Sequence, residues 1–569
     1  MHHHLDLRAK IIIMLSMMAS LFLVALDQTI ISTALGRIVE EFNAFSSLSW
    51  IVTAYLLTTT ITVPIAGKLS DLFGRRLMVL VGVGIFTAAS LLSGTAQSVT
   101  ELISWRAVQG IGGGIITANA FTIIGDLFAA RERGKWQGMF GAVFGLSSIV
   151  GPLLGGWLTD AHNIFGLTTD WRWTFFINVP IGILAFIIIA IFCPPLKHAK
   201  KPSIDYKGAA LLTFGLGTLI LAVDNTESIF GGFMDATGLS LGWLRVIMFG
   251  AVALATWKFI AVERKHKEPI LPLHLFRSKN FVLIMVIATL FGGAFMGSIL
   301  YLTQFNQQVF GASPTESGLM LLPMIAGMMT ASIGSGQIIS RTGRYKIFMQ
   351  VGLVAATVMM ALLATLSPES QYWHEAIIML ILGAGMGLVM PVLTIAVQSE
   401  VKQMELGVAT SSSQLFRSLG STIGTAVFGA MLTAGIVSHL GSVAKSDPYL
   451  QTLQQNPAAT RIGNFEDANT LLTLNMPDIK NQVTSSAEQS FAQLPADQAN
   501  EARGEFKQQQ DHFASTITHA FSDSLTRVFL TATGIMLVAT VSVFFMRERT
   551  LAKANPDDTP GEDLSAPAH

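Results

Sequence analysis

Asp27 and Arg106 are charged side chains that lie inside long apolar runs of this 569-residue sequence, where a charge is costly and is usually retained for function. Asp27 follows the run SMMASLFLVAL, and Arg106 lies near the start of another run that extends to Thr117. An isolated carboxyl group in apolar surroundings resists ionisation, so we expect Asp27 to bind and release a proton at working pH. A guanidinium inside a bilayer normally faces a cavity or a partner. Asp27 and Arg106 are therefore candidate proton-coupling residues.

Each of these two residues also has a simpler interpretation. Asp27 could be a permanently paired structural acid. Arg106, which lies near a helix start, could extend its guanidinium to the outer interface. No second clear buried acid is found in the C-terminal half of the sequence.

Several polar side chains on the predicted helices are candidates to line a cavity. Each of them alone is more often a residue that packs or hydrogen-bonds between helices. The candidate substrate-lining residues are Tyr55, Gln109, Asn119, Tyr301, Gln304, Gln398, Gln414 and Arg417.

Signals for enzyme chemistry are weak. The run Gly110-Ile-Gly-Gly-Gly114 imitates a phosphate loop, but it has no preceding strand and no Gly-Lys-Ser/Thr ending. The histidines show no paired ligand spacing, and Cys193 is the only cysteine, which excludes an internal disulfide. We therefore expect no catalytic residues, no metal site and no cofactor.

The composition is that of a membrane protein, since 51% of the residues are hydrophobic and 13% are charged. The formal net charge is zero, so nothing in it points to nucleic acid as a partner. Apolar runs of spanning length predict an all-α polytopic protein of fourteen helices with both ends on one side. They lie near 11–35, 48–69, 77–94, 102–125, 137–159, 173–194, 207–223, 241–261, 281–303, 316–338, 347–366, 375–398, 408–435 and 526–546.

Lys and Arg alternate between the two sides of the predicted bundle. Connections near 68–76, 131–135, 197–201, 264–279 and 341–346 are rich in them, whereas 95–100, 161–170, 224–240, 304–314 and 367–374 contain none. By the positive-inside rule, the basic side and both termini are cytoplasmic.

An internal repeat relates the two halves of the chain. The segment Gly67–Arg76 aligns without gaps with Gly336–Tyr345, and the two follow the second and tenth predicted helices. Helices 1–6 and 9–14 therefore look like two related six-helix bundles, with helices 7 and 8 inserted between them. Paired bundles of this kind enclose a midplane cavity in one large class of transporters.

The repeated segment has the residues of a conformational latch. Gly67 permits close helix packing, Gly74 permits a tight turn, and Asp71 is expected to cap the third helix and to pair with an arginine. Such a cluster could form in one arrangement of the bundles and break in the other. An ordinary basic loop that contains an aspartate is the alternative. The latch residues are Gly67, Asp71, Gly74, Arg75 and Arg76 in the first half and Gly336, Gly343 and Arg344 in the second.

The fifth predicted helix carries a smooth strip of glycines around a proline, at Gly145, Gly151, Pro152, Gly155 and Gly156. Glycines on one helix face let another helix approach closely. The proline removes one backbone hydrogen bond and is expected to bend the axis. A generic packing face is the alternative to a specialised motif.

These motifs resemble those of the major facilitator superfamily. Gly67–Arg76 is similar to its loop signature, Arg106–Gly112 to its R-x-x-Q-G-x-G motif, and Gly145–Gly156 to its antiporter motif. The segment Leu26–Ile30 resembles the L-D-x-T-I motif of the fourteen-helix drug:proton antiporters, and Trp171–Gly182 and Asp205–Gly208 also fit that family. Leu72 departs from the pattern, because many members carry a basic residue there.

The resemblance implies a proton-coupled antiporter that exports lipophilic or cationic drugs by alternating access, in the cytoplasmic (inner) membrane of a bacterium. The proton gradient would drive it, and Arg106 would take part in proton transfer. Family members that export divalent cations often carry a second buried acid, so its expected absence favours neutral, monocationic or lipophilic substrates. One alternative is an exporter of an endogenous lipid or metabolite that works with an extracytoplasmic partner such as a periplasmic adaptor. A non-transporting receptor or scaffold is less favoured, because it would not need Asp27 and Arg106.

The predicted organisation follows from these segments. It comprises a cytoplasmic N-terminus (1–10), an N-terminal bundle (11–195), inserted helices 7 and 8 (196–265), a C-terminal bundle (266–435 and 526–549), an extracytoplasmic connection that is either a helical hairpin or a loop (436–525), and a disordered cytoplasmic tail (550–569).

Overall fold

Fourteen helices in the described part of the protein are long and apolar enough to cross a bilayer. The computed structural model describes residues 6–42, 48–159, 163–164, 167–193, 204–223, 226–266, 268–312, 314–440, 447–454, 471, 474–475, 477–492, 495–549 and 551. The spanning helices are α1 Leu7–Phe42, α2 Leu48–Phe73, α3 Arg75–Gly94, α4 Val99–Leu127, α5 Ala130–Thr159, α6 Asn178–Phe192, α7 Tyr206–Val223, α8 Leu241–Glu263, α9 Lys279–Gln308, α10 Leu322–Thr342, α11 Lys346–Leu363, α12 Tyr372–Ser399, α13 Leu406–Leu440 and α14 Ala496–Phe545.

Shorter elements join these helices. The one-turn helix Trp173–Phe176 precedes α6 and completes its span. Two-residue strands, β1 Asn163–Ile164 and β2 Leu167–Thr168, pair antiparallel in the connection before it. The other short helices are Thr226–Thr237, Pro314–Met320, Pro448–Gln454 and Pro477–Phe491, with 3₁₀ turns at Leu273–Arg277 and Gln403–Glu405. The all-helical membrane fold expected from the sequence is confirmed, apart from this minimal strand pair.

The last helix is longer than its apolar run predicts, because α14 begins at Ala496 and not near residue 526. Helix Pro477–Phe491 packs against the early part of α14, where Gln510 Nε2 donates to Thr484 Oγ1 (3.2 Å) and to the Tyr449 hydroxyl (3.0 Å). In the described part of the connection between α13 and α14, helix Pro477–Phe491 and the first part of α14 therefore form a helical hairpin. The tail at 552–569 lies outside the described residues.

Local signals set the boundaries of the helices that carry the motifs. Ser98 and Ser278 accept hydrogen bonds from the N–H groups of Glu101 (3.2 Å) and Phe281 (3.3 Å), so they cap α4 and α9. Gly74 has a φ of 96°, in the left-handed region that favours glycine, and this permits the tight turn from α2 into α3.

The two largest hydrophobic cores lie one in each half of the chain. One is built from buried residues of α1–α6, such as Met17, Phe86 and Phe140. The other is built from α9–α14, with Phe291 and Met386 among its members. Helices α7 and α8 pack on each other, and α7 also contacts α2 and α13, so the inserted pair touches both bundles.

The bundles meet at their basic ends. Helix α5 packs along α10, and α2 packs against α13. The backbones approach closely where α5 has glycines, since a Cβ on Gly134 would lie 3.0 Å from the carbonyl oxygen of Gly336. Ser332 on α10 donates to the Gly138 carbonyl on α5 (3.1 Å). This structure is therefore closed on its basic side.

Candidate functional site

The two charged side chains singled out in the sequence form one buried ion pair. Nη1 of Arg106, on α4, donates to the Asp27 carboxylate on α1, and each side chain is 1% exposed. The same nitrogen donates to Gln109 Oε1 (2.9 Å), and Gln109 Nε2 donates to Asp27 Oδ1 (2.9 Å). Asp27 is thus paired and not isolated, because α4 supplies both a cation and an amide. Arg106 does not reach the outer interface either, because this pairing keeps it inside.

Two further polar residues complete the network around Asp27. Asn178 Nδ2, at the start of α6, donates to Asp27 Oδ1 (3.2 Å) and to the Ser90 hydroxyl on α3 (3.0 Å). Gln109 Nε2 also donates to Ser90 (3.3 Å). The sequence marked Asn178 only through the family resemblance, and Ser90 had no signal because single serines are common in membrane helices.

An aromatic side chain covers the guanidinium of this network. The Arg106 guanidinium carbon lies 4.4 Å from the centre of the Tyr55 ring, a cation–π contact between α4 and α2. Arg106 also donates from Nε to the Ile51 carbonyl (3.3 Å). The pair is neutral as a whole, and it links α1 to α4.

The latch residues form a second polar cluster, on the basic side. Arg75 pairs with Asp71 and also binds Asp126 at the end of α4, with Nε 2.7 Å from Oδ2. The Asp71 carboxylate accepts from the Val408 N–H (3.0 Å) at the start of α13. Asp71 therefore caps a helix of the other bundle. The prediction that it caps α3 is wrong, because the cap position of α3 is occupied by Gly74, which has no side chain.

The remaining latch residues have separate contacts. Gly67 packs against Ser411 of α13, where a side chain would collide, and Arg76 donates to the Ala190 carbonyl of α6. In the second half, Gly336 packs on Gly134, and Gly343 has a φ of 72° beside Arg131. Arg344 is exposed.

The start of α11 shows how the second half of the repeat differs from the first. Glu548 accepts from the N–H groups of Tyr345 (2.7 Å) and Lys346 (2.9 Å). A residue that follows α14 therefore caps α11. The internal repeat had predicted that every residue of the second latch cluster lies within 336–345. Asp126 and Glu548 were missed because each lies far in sequence from the helix ends that it contacts.

The glycines of the antiporter motif face different neighbours along α5. Gly145 packs against Met329 of α10, and Gly151 packs against Thr29 of α1. Gly155 is buried, whereas Gly156 has open space in front of it. Pro152 lies within α5, and its side chain lies outside the described residues.

Three of the candidate lining residues form hydrogen bonds to other helices. Two of these bonds connect the two bundles, and the third lies within the C-terminal bundle. Gln398 Nε2 on α12 donates to the Phe121 carbonyl on α4 (3.1 Å), and Gln414 Nε2 on α13 donates to the Thr117 carbonyl (3.4 Å). Tyr301 donates to the Thr425 carbonyl (3.0 Å), between α9 and α13. These side chains are held by helix contacts in this arrangement of the bundles.

The other candidates retain free polar atoms or are partly accessible. Asn119 is buried, and among the described residues its Oδ1 has no hydrogen-bond donor. Gln304 is half-buried. Arg417 is half-buried near the middle of the Leu406–Leu432 span, and it forms no ion pair with any described residue. Tyr55 and Gln109 belong to the Asp27 network.

A second buried acid does exist in the C-terminal half, contrary to the expectation from the sequence. Glu375 on α12 is fully buried, and its carboxyl group lies against Asn306 of α9. It was overlooked because it follows Trp373 and His374 directly at the predicted helix start, where an acid is usually solvated.

A cavity of about 1330 Å³ lies on the basic side between α2, α7, α8 and α13. Its lining is amphipathic, with Leu211, Leu212 and Phe259 in one part and Lys68 and Arg264 in another. Lys68 is bound there by Glu268 (2.7 Å). An amphiphile of moderate size matches this combination of apolar and charged surfaces.

The described part of the chain has fourteen spanning helices, twelve of them in two bundles, with a buried ion pair in one bundle and a polar contact between the bundles. This arrangement defines a polytopic secondary transporter and not an enzyme. The family comparison gives the same class. Residues 17–425 match the Major Facilitator Superfamily, and the chain belongs to this superfamily.

Relatives and solved structures extend this assignment. The chain is similar to the multidrug transporter protein MdtP of Bacillus subtilis, at 35% identity over 98% of this chain and 97% of the relative. Multidrug resistance protein 3 of the same organism is 33% identical over 94% of each chain. The human organic anion transporter MFSD10 has a similar fold, with a TM-score of 0.57 and 13% identity over 94% of this chain and 99% of that one. The proton:xylose symporter XylE has a TM-score of 0.54 at 17% identity over 75% and 90%.

Proposed function

We propose that this protein is a proton-coupled antiporter that exports lipophilic or cationic drugs by alternating access. The observation that carries the proposal is the buried Asp27–Arg106 pair, because a titratable pair inside the membrane is retained at a cost and is typical of proton pathways. The names of the two Bacillus relatives support drug export as the activity.

In this proposal a proton on Asp27 and the substrate alternate in the transport cycle. Protonation neutralises Asp27 and releases Arg106 towards Gln109 and the Ile51 carbonyl, its two other hydrogen-bond acceptors. The contacts between α1 and α4 then weaken, and the N-terminal bundle can change its orientation against the C-terminal one. A substrate that binds the deprotonated form is released when the proton binds.

The orientation in the membrane follows from the charges of the connections. We assign the basic side, with both termini, to the cytoplasm, and the membrane to the cytoplasmic (inner) membrane of a bacterium. The closed basic side then corresponds to a conformation that is shut towards the cytoplasm. The helical hairpin before α14 lies on the outside, where a periplasmic adaptor protein could dock.

The experiment compares wild type with Asp27→Asn in everted vesicles that are energised by a pH gradient, with ethidium as the trial substrate. Asparagine has the size of aspartate but cannot exchange a proton, so gradient-driven transport should be lost while ethidium binding is retained. Asp170→Asn is the matched control, since Asp170 is an acid of the outer connection that pairs with Arg172 and takes part in none of the hydrogen bonds of the network. Equal gradient-driven transport by wild type and Asp27→Asn would remove Asp27 from the coupling step.

A second candidate is export of an endogenous lipid or amphiphilic metabolite. The amphipathic cavity beside α7 and α8 favours it, because charged and apolar surfaces there match a headgroup and a chain. An outer partner would then be needed to receive the product.

The outer segment offers a direct test of this second candidate. The chain can be shortened by removing residues 441–515, because a Cβ on Gly435 of α13 would lie 2.9 Å from Ser524 Cβ of α14, so the new ends are close together. Drug efflux that survives this deletion supports the antiporter, whereas loss of export with the protein still inserted favours a partner-dependent exporter.

A further inference from the structure

Glu375 and Asn306 bring a carboxyl group and an amide into direct contact inside the C-terminal bundle. Glu375 lies in the first turn of α12 and is 0% exposed, and Asn306 lies in the last turn of α9. With its amide turned towards Glu375, the Asn306 nitrogen lies 2.9 Å from each of the two carboxyl oxygens. The contact joins two helices that belong to the core of this bundle.

No cation accompanies this carboxyl group in the described part of the chain. Asn306 is the side chain that acts on Glu375, and α5, α10, α11 and α13, which also pack against α12, bring no charged side chain to it. Tyr372, on α12 itself, is the ionisable group that interacts with it. His519 of α14 is at the surface, where it binds Glu369 (3.2 Å). A negative charge on Glu375 would therefore be buried without compensation, and a bound proton removes that cost.

The amide can satisfy the carboxyl group in both protonation states. When Glu375 is ionised, the Asn306 nitrogen donates to the carboxylate. When Glu375 carries a proton, rotation of the amide by a half-turn brings its oxygen to the same position, where it accepts the carboxyl O–H. The carboxyl group therefore keeps a hydrogen bond to Asn306 in both states. The half-turn also points the amide NH2 at neighbouring donors, so the two states differ in how well the amide itself is satisfied.

We propose that Glu375 and Asn306 form a second proton-binding site of the transporter, separate from Asp27 and located in the other bundle. The inference rests on the proposed proton coupling and adds a site to it. Glu375 lies only about 5 Å along the helix from the start of α12, so the path from the outer solution is short. The carboxylate takes up a proton from water there and returns it to water, and no other bond changes.

The test is infrared difference spectroscopy of the full-length protein in lipid vesicles, between acid and alkaline pH. The C=O stretching band of protonated carboxyl groups reports each buried acid that loses its proton. In wild type and in Asp27→Asn, this C=O band should contain a component from Glu375, and that component should be absent in Glu375→Gln. Glu369→Gln is the control, because Glu369 is an exposed acid at the same end of the protein and should leave this component unchanged. A full component in Glu375→Gln overturns the proposal.

A second variant tests the site with Glu375 in place, so the proposal does not depend on the folding of Glu375→Gln. Asn306→Leu keeps the carboxyl group and removes its amide partner, so the component should persist with a displaced pH midpoint. An unchanged midpoint in Asn306→Leu shows that the amide does not serve this carboxyl group and also overturns the site.

Transport measurements separate this inference from the proposed function. Glu375→Gln should transport with a less steep dependence on pH than wild type, and a wild-type pH dependence counts against proton exchange at Glu375. If Asp27→Asn keeps gradient-driven efflux while Glu375→Gln loses the infrared component, the coupling role of Asp27 fails and the Glu375 site stands. If Asp27→Asn loses efflux and Glu375→Gln has the wild-type spectrum, only the second site fails.

Discussion

The carboxylate of Asp71, at the end of α2, accepts a hydrogen bond from the backbone N–H of Val408, 3.0 Å away at the start of α13. A residue of one bundle thus caps a helix of the other, where the helix dipole favours a negative charge. Gly407, the residue before Val408, must be small, because a Cβ there would collide with Asp71 and would lie 2.7 Å from an Arg75 nitrogen. This contact holds the basic ends of the bundles together.

We predict that Asp71→Asn loosens the closed basic side. Asparagine can still accept a hydrogen bond, but it loses the charge that the helix start and Arg75 attract. A loss of about 1 kcal/mol would raise the population with separated ends about fivefold. A cysteine placed at Ser411, which is buried against Gly67, reports this change as a faster rate of thiol labelling.

The labelling experiment needs a background without the native thiol. Cys193→Ser provides it, since Cys193 is the only cysteine of the chain. Asp170→Asn, at the end of the bundle opposite the basic side, should leave the labelling rate unchanged. A rate in Asp71→Asn equal to that of the parent would mean that the cap does not contribute to closure.

Removal of the cation from the buried pair should destabilise the protein more than removal of the whole pair. Arg106→Gln leaves the Asp27 charge with Gln109 and Asn178 alone, and loss of one partner of a buried pair costs about 3–5 kcal/mol. The double variant Asp27→Asn with Arg106→Gln has no unpaired charge and should recover part of this loss. Thermal unfolding in detergent, followed over the four proteins of the cycle, measures the coupling. Additive effects would show that the two side chains do not depend on each other.

Two glycines of the same motif should respond differently to the same substitution. A Cβ on Gly151 would collide with Thr29 of α1, whereas nothing lies within 4 Å of a Cβ on Gly156. Gly151→Ala should therefore lower stability by about 1–3 kcal/mol through overpacking and reduce transport. Gly156→Ala should resemble wild type in both respects. Thermal unfolding and ethidium efflux measured side by side test this, and equal effects of the two substitutions would contradict the packing shown here.

Arg417 should oppose cationic substrates, because it has no ion-pair partner among the described residues and lies near the middle of its span. At an effective dielectric constant of about 20, two like charges roughly 10 Å apart repel by about 1–2 kcal/mol. Arg417→Gln should then bind ethidium up to about tenfold more tightly, with little change for an uncharged drug. Arg527→Gln is the control, since Arg527 is exposed on α14. An equal change in binding affinity for ethidium and for the uncharged drug would indicate that Arg417 has a structural role.

The sequence predicted the parts of this fold that depend on local composition. Apolar runs predicted the fourteen spanning helices that the described residues contain. The cost of a charge in a bilayer marked Asp27 and Arg106 each as a functional candidate, but their contact with each other was not predicted. The left-handed turns at Gly74 and Gly343 follow from the same local chemistry.

Contacts between distant segments could not be predicted in this way. The partner of Asp71 is 337 residues away in the sequence, and the pairing of Glu375 with Asn306 depends on how α9 and α12 pack. The length of α14 was underestimated because its first part is polar, and hydropathy marks only the part of a helix that lies in the bilayer. Helix propensity and hydropathy depend only on the residues of one segment. The contacts of Asp71 and of Glu375 depend on which other helices pack against that segment.

The continuous helix α14 gives the C-terminal bundle a lever arm. About thirty of its residues precede the apolar span, and at 1.5 Å per residue they reach roughly 45 Å. If the bundle rotates by one degree relative to the membrane, the tip of an arm of roughly 45 Å moves by about 0.8 Å. Small rotations at the Asp71–Val408 contact would thus be amplified into displacements at the far tip of α14.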